Sequence, residues 1–161
     1  MKTNLFSVYR QPLVVDIALL LTRLVIGYAF LLVGWGKIQN PTDWMRGITF
    51  APLWQVLAAV AEFGGGLALF LGLLTRLGAF GIVCVMVVAA WVHKFVFLDP
   101  YISFTGGSSY QVALAYLSIA LLLLVLGPGR FSLDRLFFGL SGEQLPPLNH
   151  RKEDVRELES A

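Results

Sequence analysis

The sequence predicts an all-α polytopic membrane protein, built as an antiparallel bundle of four transmembrane helices. Of the 161 residues, 57% are apolar and 14% charged, against about 25% charged in a soluble domain. That leaves too little polar material to cover a water-facing surface. The apolar residues are gathered into four long blocks rather than spread with an amphipathic period. Chain in lipid must satisfy its own backbone as helix or closed barrel, and blocks this continuous do not alternate as barrel strands do.

The first block, residues 13–38, is interrupted by Asp16 and Arg23. The second, 52–74, holds one charge, Glu62. The third, 77–98, has none before His93 and Lys94, and the fourth, 110–126, has none. Each meets or approaches the roughly 20 residues that cross a hydrocarbon core at 1.5 Å per residue. No remaining stretch is long enough for a second, soluble core. The first block is far longer than the apolar part of a cleavable signal and lacks a small-x-small cleavage site, so it reads as an anchor.

The connections divide the chain. Residues 1–12 form a cytoplasmic N-terminal segment, 13–134 the membrane domain, and 135–161 a cytoplasmic interfacial segment with a mobile polar tail containing Pro146-Pro147. Leu74-Thr75-Arg76 is so short a link that the second and third spans must form an antiparallel hairpin. Residues 99–109 carry Pro100 and Gly106-Gly107, and 39–51 carry Pro41. Gly127-Pro128-Gly129 cannot continue a helix and turns the chain sharply. Phe131, Leu133, Leu136, Phe137 and Leu140 then suit a short segment lying in the membrane interface.

Lysines and arginines set the orientation. Eight (Lys2, Arg10, Arg76, Arg130, Arg135, Arg151, Lys152, Arg156) fall on one side and three (Lys37, Arg46, Lys94) on the other, with Arg23 embedded. Both termini are therefore expected in the cytoplasm. Trp35, Trp44, Trp54 and Trp91 gather at the opposite face, either as interfacial anchors or as the roof of a pocket.

Several classes are excluded. A net charge of +2 does not suggest a nucleic-acid partner. Cys84, the single cysteine, can form neither an internal disulfide nor a dithiol pair and reads as a small core residue. His93 and His150 lie far apart in different settings, so no metal site is expected. No motif for a covalently held cofactor is visible.

The deep charges carry the functional argument. Counted from their own helix ends, Arg23 and Glu62 both arrive near the bilayer midplane, where an unpaired charge costs at least about 2.5–3.5 kcal/mol. The cheapest escape is a buried Arg23–Glu62 bridge. Gly27, Gly34 and Lys37 share the face of Arg23, and Gln55 and Gly66 that of Glu62. Gly65 and Gly72 join Gly27, Gly34 and Gly66 as candidate helix-packing positions, since small residues let helix backbones approach in membranes. Gln111 heads a weakly polar line on the fourth span.

Such an interior has two readings. One is a buried polar network that fixes helix register. The other is a ligand cavity lined by Lys37, Gln55, Glu62, His93 and Gln111 beneath the tryptophans. Apolar walls with a few convergent polar groups are the usual make-up of a small-molecule site. A quinone suits it, because its carbonyls accept hydrogen bonds from His or Lys while Glu or His can exchange protons. His93 taken alone is equally well explained as a capped interfacial histidine.

The strings TRLVIGYAFLLVGWGK (Arg23, Gly27, Gly34, Lys37) and EFGGGLALFLGLLTR (Glu62, Gly65, Gly72, Arg76), with the segment Gly127-Pro128-Gly129-Arg130-Phe131-Ser132-Leu133-Asp134, resemble DoxX-type membrane proteins. His93 and the Gly106-Gly107 turn also fit that pattern. Where relatives often place an acidic residue after the glycine pair, this chain has Ser109, Tyr110 and Gln111. The resemblance implies a four-span protein of the bacterial or archaeal inner membrane. It also implies an association with quinone-linked oxidation, as in the DoxD-type subunit of thiosulfate:quinone oxidoreductase. The leading reading is therefore a small membrane subunit of a quinone-linked oxidoreductase system, working with a soluble or membrane redox partner. A non-catalytic scaffold of a partner complex and a small-solute carrier are the alternatives, the last calling for a homo-oligomer.

Overall fold

The computed structural model describes residues 11–45 and 52–138. Among them every regular element is helical: α1 (Leu13–Ile38), α2 (Pro52–Leu71), α3 (Thr75–Phe95), α4 (Gln111–Leu126) and the short α5 (Leu133–Phe138). The predicted terminal segment before Gln11, Arg46 in the first loop, Leu140 and the predicted tail lie outside the described residues.

Three helices, α1 to α3, are long and apolar enough to cross a membrane, while α4 is apolar but shorter. Each boundary has a local cause. Pro12 precedes α1, its carbonyl accepting from Val15 and Asp16 N–H at 2.9 and 3.1 Å. Pro52 opens α2, where its fixed φ costs no hydrogen bond. At the end of α2, Gly72 adopts φ +69°. Its N–H bonds to Leu69 O while that of Leu73 bonds to Ala68 O, the Schellman termination that favours glycine. The second span therefore stops three residues before the predicted Leu74.

The helices pack in sequence, α1 on α2, α2 on α3 and α3 on α4, with only slight contact between α1 and α4. Leu19, Ile26 and Phe30 of α1, Leu69 of α2, Ile82 and Met86 of α3, and Ala120 and Leu123 of α4 form the core. The Phe30 and Tyr116 rings meet edge to face with centroids 5.2 Å apart. Outside the core, long runs of Leu, Val, Phe and Trp stay exposed on every long helix, Val14 at 77% and Val125 at 72% among them. Continuous apolar exposure on this scale requires lipid around it.

Glycines set the α1–α2 contact. A Cβ on Gly34 would lie 2.5 Å from Phe63 N, one on Gly66 2.8 Å from Leu31 N, and one on Gly27 2.7 Å from Phe70 N. Gly65 faces α3 instead, its hypothetical Cβ 2.9 Å from Ile82. The backbones can approach this closely only because those side chains are absent.

Three buried charges lock the chain after α4 at the end of the molecule that carries the α2–α3 turn. Gly127, Pro128 and Gly129 are buried although they are not helical. Arg23 donates from Nη1 to Pro128 O at 2.5 Å and from Nη2 to Phe131 O at 2.6 Å. Asp16, fully buried, accepts from Arg130 N–H at 2.9 Å and pairs with its guanidinium at 3.1 Å. Asp134 accepts from the N–H groups of Leu74 and Thr75 at 2.6 and 2.9 Å. It caps α3 from 59 residues away, placing negative charge at a helix N-terminus. Irregular backbone at membrane depth is tolerated only where protein satisfies it, and these side chains do so.

The predicted Arg23–Glu62 bridge is not formed. The α1–α2 register sets Arg23 level with Leu74 and Glu62 level with Trp35, about 18 Å apart along the helices at 1.5 Å per residue. Side chains also lean toward the N-terminus of their own helix. In an antiparallel pair this carries Arg23 toward the α2–α3 turn and Glu62 toward the opposite end.

Candidate functional site

Glu62 finds its cation in Lys37. The last turn of α1 points the lysine back down the helix, and its Nζ donates to Glu62 Oε1 at 2.6 Å. The carboxylate is almost fully buried, with 2% of its side chain exposed, while Lys37 keeps 21%. The second oxygen, Oε2, is buried and has no hydrogen-bond partner. Such an orphan acceptor costs about 1–3 kcal/mol, more for a charged group, and marks a place where a donor would be welcome.

This pair forms the floor of a cavity of about 780 Å³ between α2 and α3, closed over by the start of the α1–α2 loop. Ala58, Ala61, Val85 and Val88 supply its apolar walls. The roof is fastened by Gln55, which is buried on α2. Its backbone carbonyl accepts from Trp44 Nε1 at 3.0 Å and its side-chain oxygen from Met45 N–H at 3.2 Å. Lys37 Nζ faces the Trp44 ring, 4.1 Å from its centroid, a cation–π contact that further fixes the ammonium. At the other rim His93 Nδ1 is 2.6 Å from Asp99 Oδ2, and Asp99 N–H bonds back to the His93 carbonyl. The aspartate thereby orients the ring.

Four of the five predicted lining residues, Lys37, Gln55, Glu62 and His93, meet in this one cavity. Gln111 does not. It stands exposed at the start of α4, its N–H bonded to Tyr101 O at 3.2 Å, because α4 packs against α3 and hardly meets α2. Cys84 also departs from its expected core position: it is exposed and lines the cavity. Of the tryptophans, Trp44 and Trp54 line the cavity, whereas Trp35 packs on Phe63 and Trp91 on Phe95. Sequence reasoning passed over Asp99 and Asp134, whose roles depend on partners from other turns. Among the described residues no cluster of three His, Cys, Asp or Glu could hold a metal ion.

An all-helical, multi-pass membrane protein with a buried acid–base pair beneath an apolar cavity is the class these features define. The DoxX family model matches residues 18–94, which hold α2, most of α1 and α3, and the Lys37, Glu62 and His93 side chains. The chain is 32% identical over 130 residues to inner membrane protein YqjF of Escherichia coli (strain K12), covering 75% of this chain and 92% of that relative. The chain belongs to the DoxX family. No solved structure matches it.

Proposed function

We propose that this protein binds a quinone, or a similar lipophilic ring, in the α2–α3 cavity as a small membrane subunit of a quinone-linked oxidoreductase system. The observation that carries the reading is the half-satisfied Glu62 carboxylate, held by Lys37 on one oxygen and orphaned on the other, at the floor of an apolar cavity. A quinone supplies two carbonyl acceptors on a flat apolar ring and, once reduced with uptake of two electrons and two protons, two O–H donors that an orphaned carboxylate oxygen can accept. Lys37 Nζ and the His93 ring can donate to the carbonyls, Trp44 and Trp54 offer flat surfaces, and Glu62 Oε2 can accept from an O–H of the reduced ring. Electrons would come from a partner protein.

The same proposal places four spans in a cell inner membrane with both termini in the cytoplasm. The YqjF relative is an inner membrane protein by name, and the lysine–arginine asymmetry supports the orientation. The buried Gly127–Gly129 turn lets α4, with 16 residues, complete a fourth crossing that its length alone would leave short.

The test is extraction of the protein from native membranes, followed by mass analysis of the bound lipids. Quinone should co-purify in near-stoichiometric amount and be lost from Glu62→Gln and His93→Ala variants that still fold. Absence of quinone from the wild-type extract, with both variants fully active in cells, would overturn the reading.

A further inference from the structure

The cavity does not end at Glu62. A second, wholly apolar groove of about 400 Å³ continues along the same α2–α3 seam toward the turn, walled by Val60, Leu67, Leu71 and Leu77. The two share Ala61 and Gly81 as a common neck. Small side chains keep the passage open. A Cβ on Gly64 would meet nothing within 4 Å, and one on Gly81 would meet only Ala61 at 3.7 Å or more. Both spaces are partly open rather than sealed, and their lining includes exposed apolar residues such as Leu57, Val60, Leu67, Val88 and Leu77. From Trp54 to Leu71 the helical seam is about 26 Å long at 1.5 Å per residue, most of the thickness of a hydrocarbon core.

Resting on the binding reading above, we infer that the ligand is a long-tailed amphiphile that enters sideways from the bilayer, its head on Lys37–Glu62 and its isoprenoid tail in the groove beside Gly64. Polarity divides the seam accordingly. Every ionisable group on it lies at the head end, where the 98%-buried Glu62 side chain keeps an unpartnered oxygen. The tail end is lined by aliphatic side chains and glycine alone. A compact polar solute would leave the lower groove to lipid, whereas a ring carrying a linear apolar chain fills both spaces through one neck.

The experiment titrates purified full-length protein in detergent micelles with two probes, a benzoquinone bearing a long isoprenoid tail and the tailless parent ring. Quenching of tryptophan fluorescence reports binding, because Trp44 and Trp54 line the head cavity. Gly64→Phe and Leu67→Phe fill the groove, and Gly36→Phe, at another glycine with nothing within 4 Å, is the control. Long-tailed affinity should fall at least tenfold in both groove variants, with no change for the tailless ring or in the control. Should one groove variant fail to fold, the other decides. Equal affinities for the long-tailed probe in wild type and groove variants overturn the tail assignment while leaving the head site intact. The same result accompanied by loss of co-purifying phospholipid assigns the groove to an acyl chain instead, which also overturns the inference. Failure of wild type to bind either probe defeats the underlying binding reading itself.

Discussion

Lys37 Nζ lies 2.6 Å from Glu62 Oε1, joining the end of α1 to the middle of α2 across the floor of the cavity. The Glu62 carboxylate, 2% exposed, could not stand alone at that depth. Breaking the pair with Glu62→Ala should therefore destabilise the protein by about 3 kcal/mol, toward the low end for buried pairs because Lys37 can swing its head to solvent. Adding Lys37→Met should recover part of that loss. Denaturant unfolding of the two single variants and the double variant measures it; strictly additive effects would mean that the pair does not couple.

Arg23 works differently, as a fork that satisfies two carbonyls of the chain after α4. Arg23→Lys keeps the charge but cannot hold both. Each abandoned buried carbonyl should cost about 1–3 kcal/mol. Hydrogen exchange should quicken across residues 129–134 while α4 stays protected. Unchanged exchange there would show that the segment is held by Asp16 and Asp134 alone.

Asp134 replaces the cap that α3 lacks locally, since Leu74 at its N-cap has no side-chain oxygen. Asp134→Ala should remove about 0.5–2 kcal/mol, and Asp134→Asn less, because one acceptor oxygen remains. The Leu74 and Thr75 amides report the change by faster exchange in Asp134→Ala. Equal protection in both variants would argue against the cap.

The glycines separate into two groups. Gly34→Ala and Gly66→Ala drive a methyl into the facing helix backbone and should each cost about 1–3 kcal/mol through overpacking. Gly64→Ala meets open space and should be neutral or stabilising by up to about 1 kcal/mol, the usual penalty for glycine within a helix. Thermal melting of the three variants checks the contrast.

Much of the architecture was legible because apolar length is a direct signal. The α1 and α2 starts at Leu13 and Pro52 follow from prolines, whereas the end of α2 was expected at Leu74 and falls at Leu71, because Gly72 reads equally as a helix-packing position and as a terminator. The site was legible in composition but not in pairing. Lys37, Gln55, Glu62 and His93 were separable from the apolar background, yet their partners depend on side-chain lean and helix register. Counting depth from each helix end hid the offset, because α1 has 26 residues and α2 has 20. Gln111 shares the polarity of the lining residues, but which neighbour α4 packs against is not written in its own residues. Cys84 looked like core because an apolar context in a membrane protein describes the lipid face as well as the interior.

Ring binding on the Lys37–Glu62 floor is tested most simply by comparing the dissociation constant of a tailless benzoquinone for wild type, Glu62→Gln and Lys37→Met by tryptophan quenching. Saturable binding to wild type and at least tenfold weaker binding to both variants are expected, with helical content unchanged. Identical constants in all three proteins would contradict that placement, since the ring would then be resting somewhere other than on the Lys37–Glu62 floor.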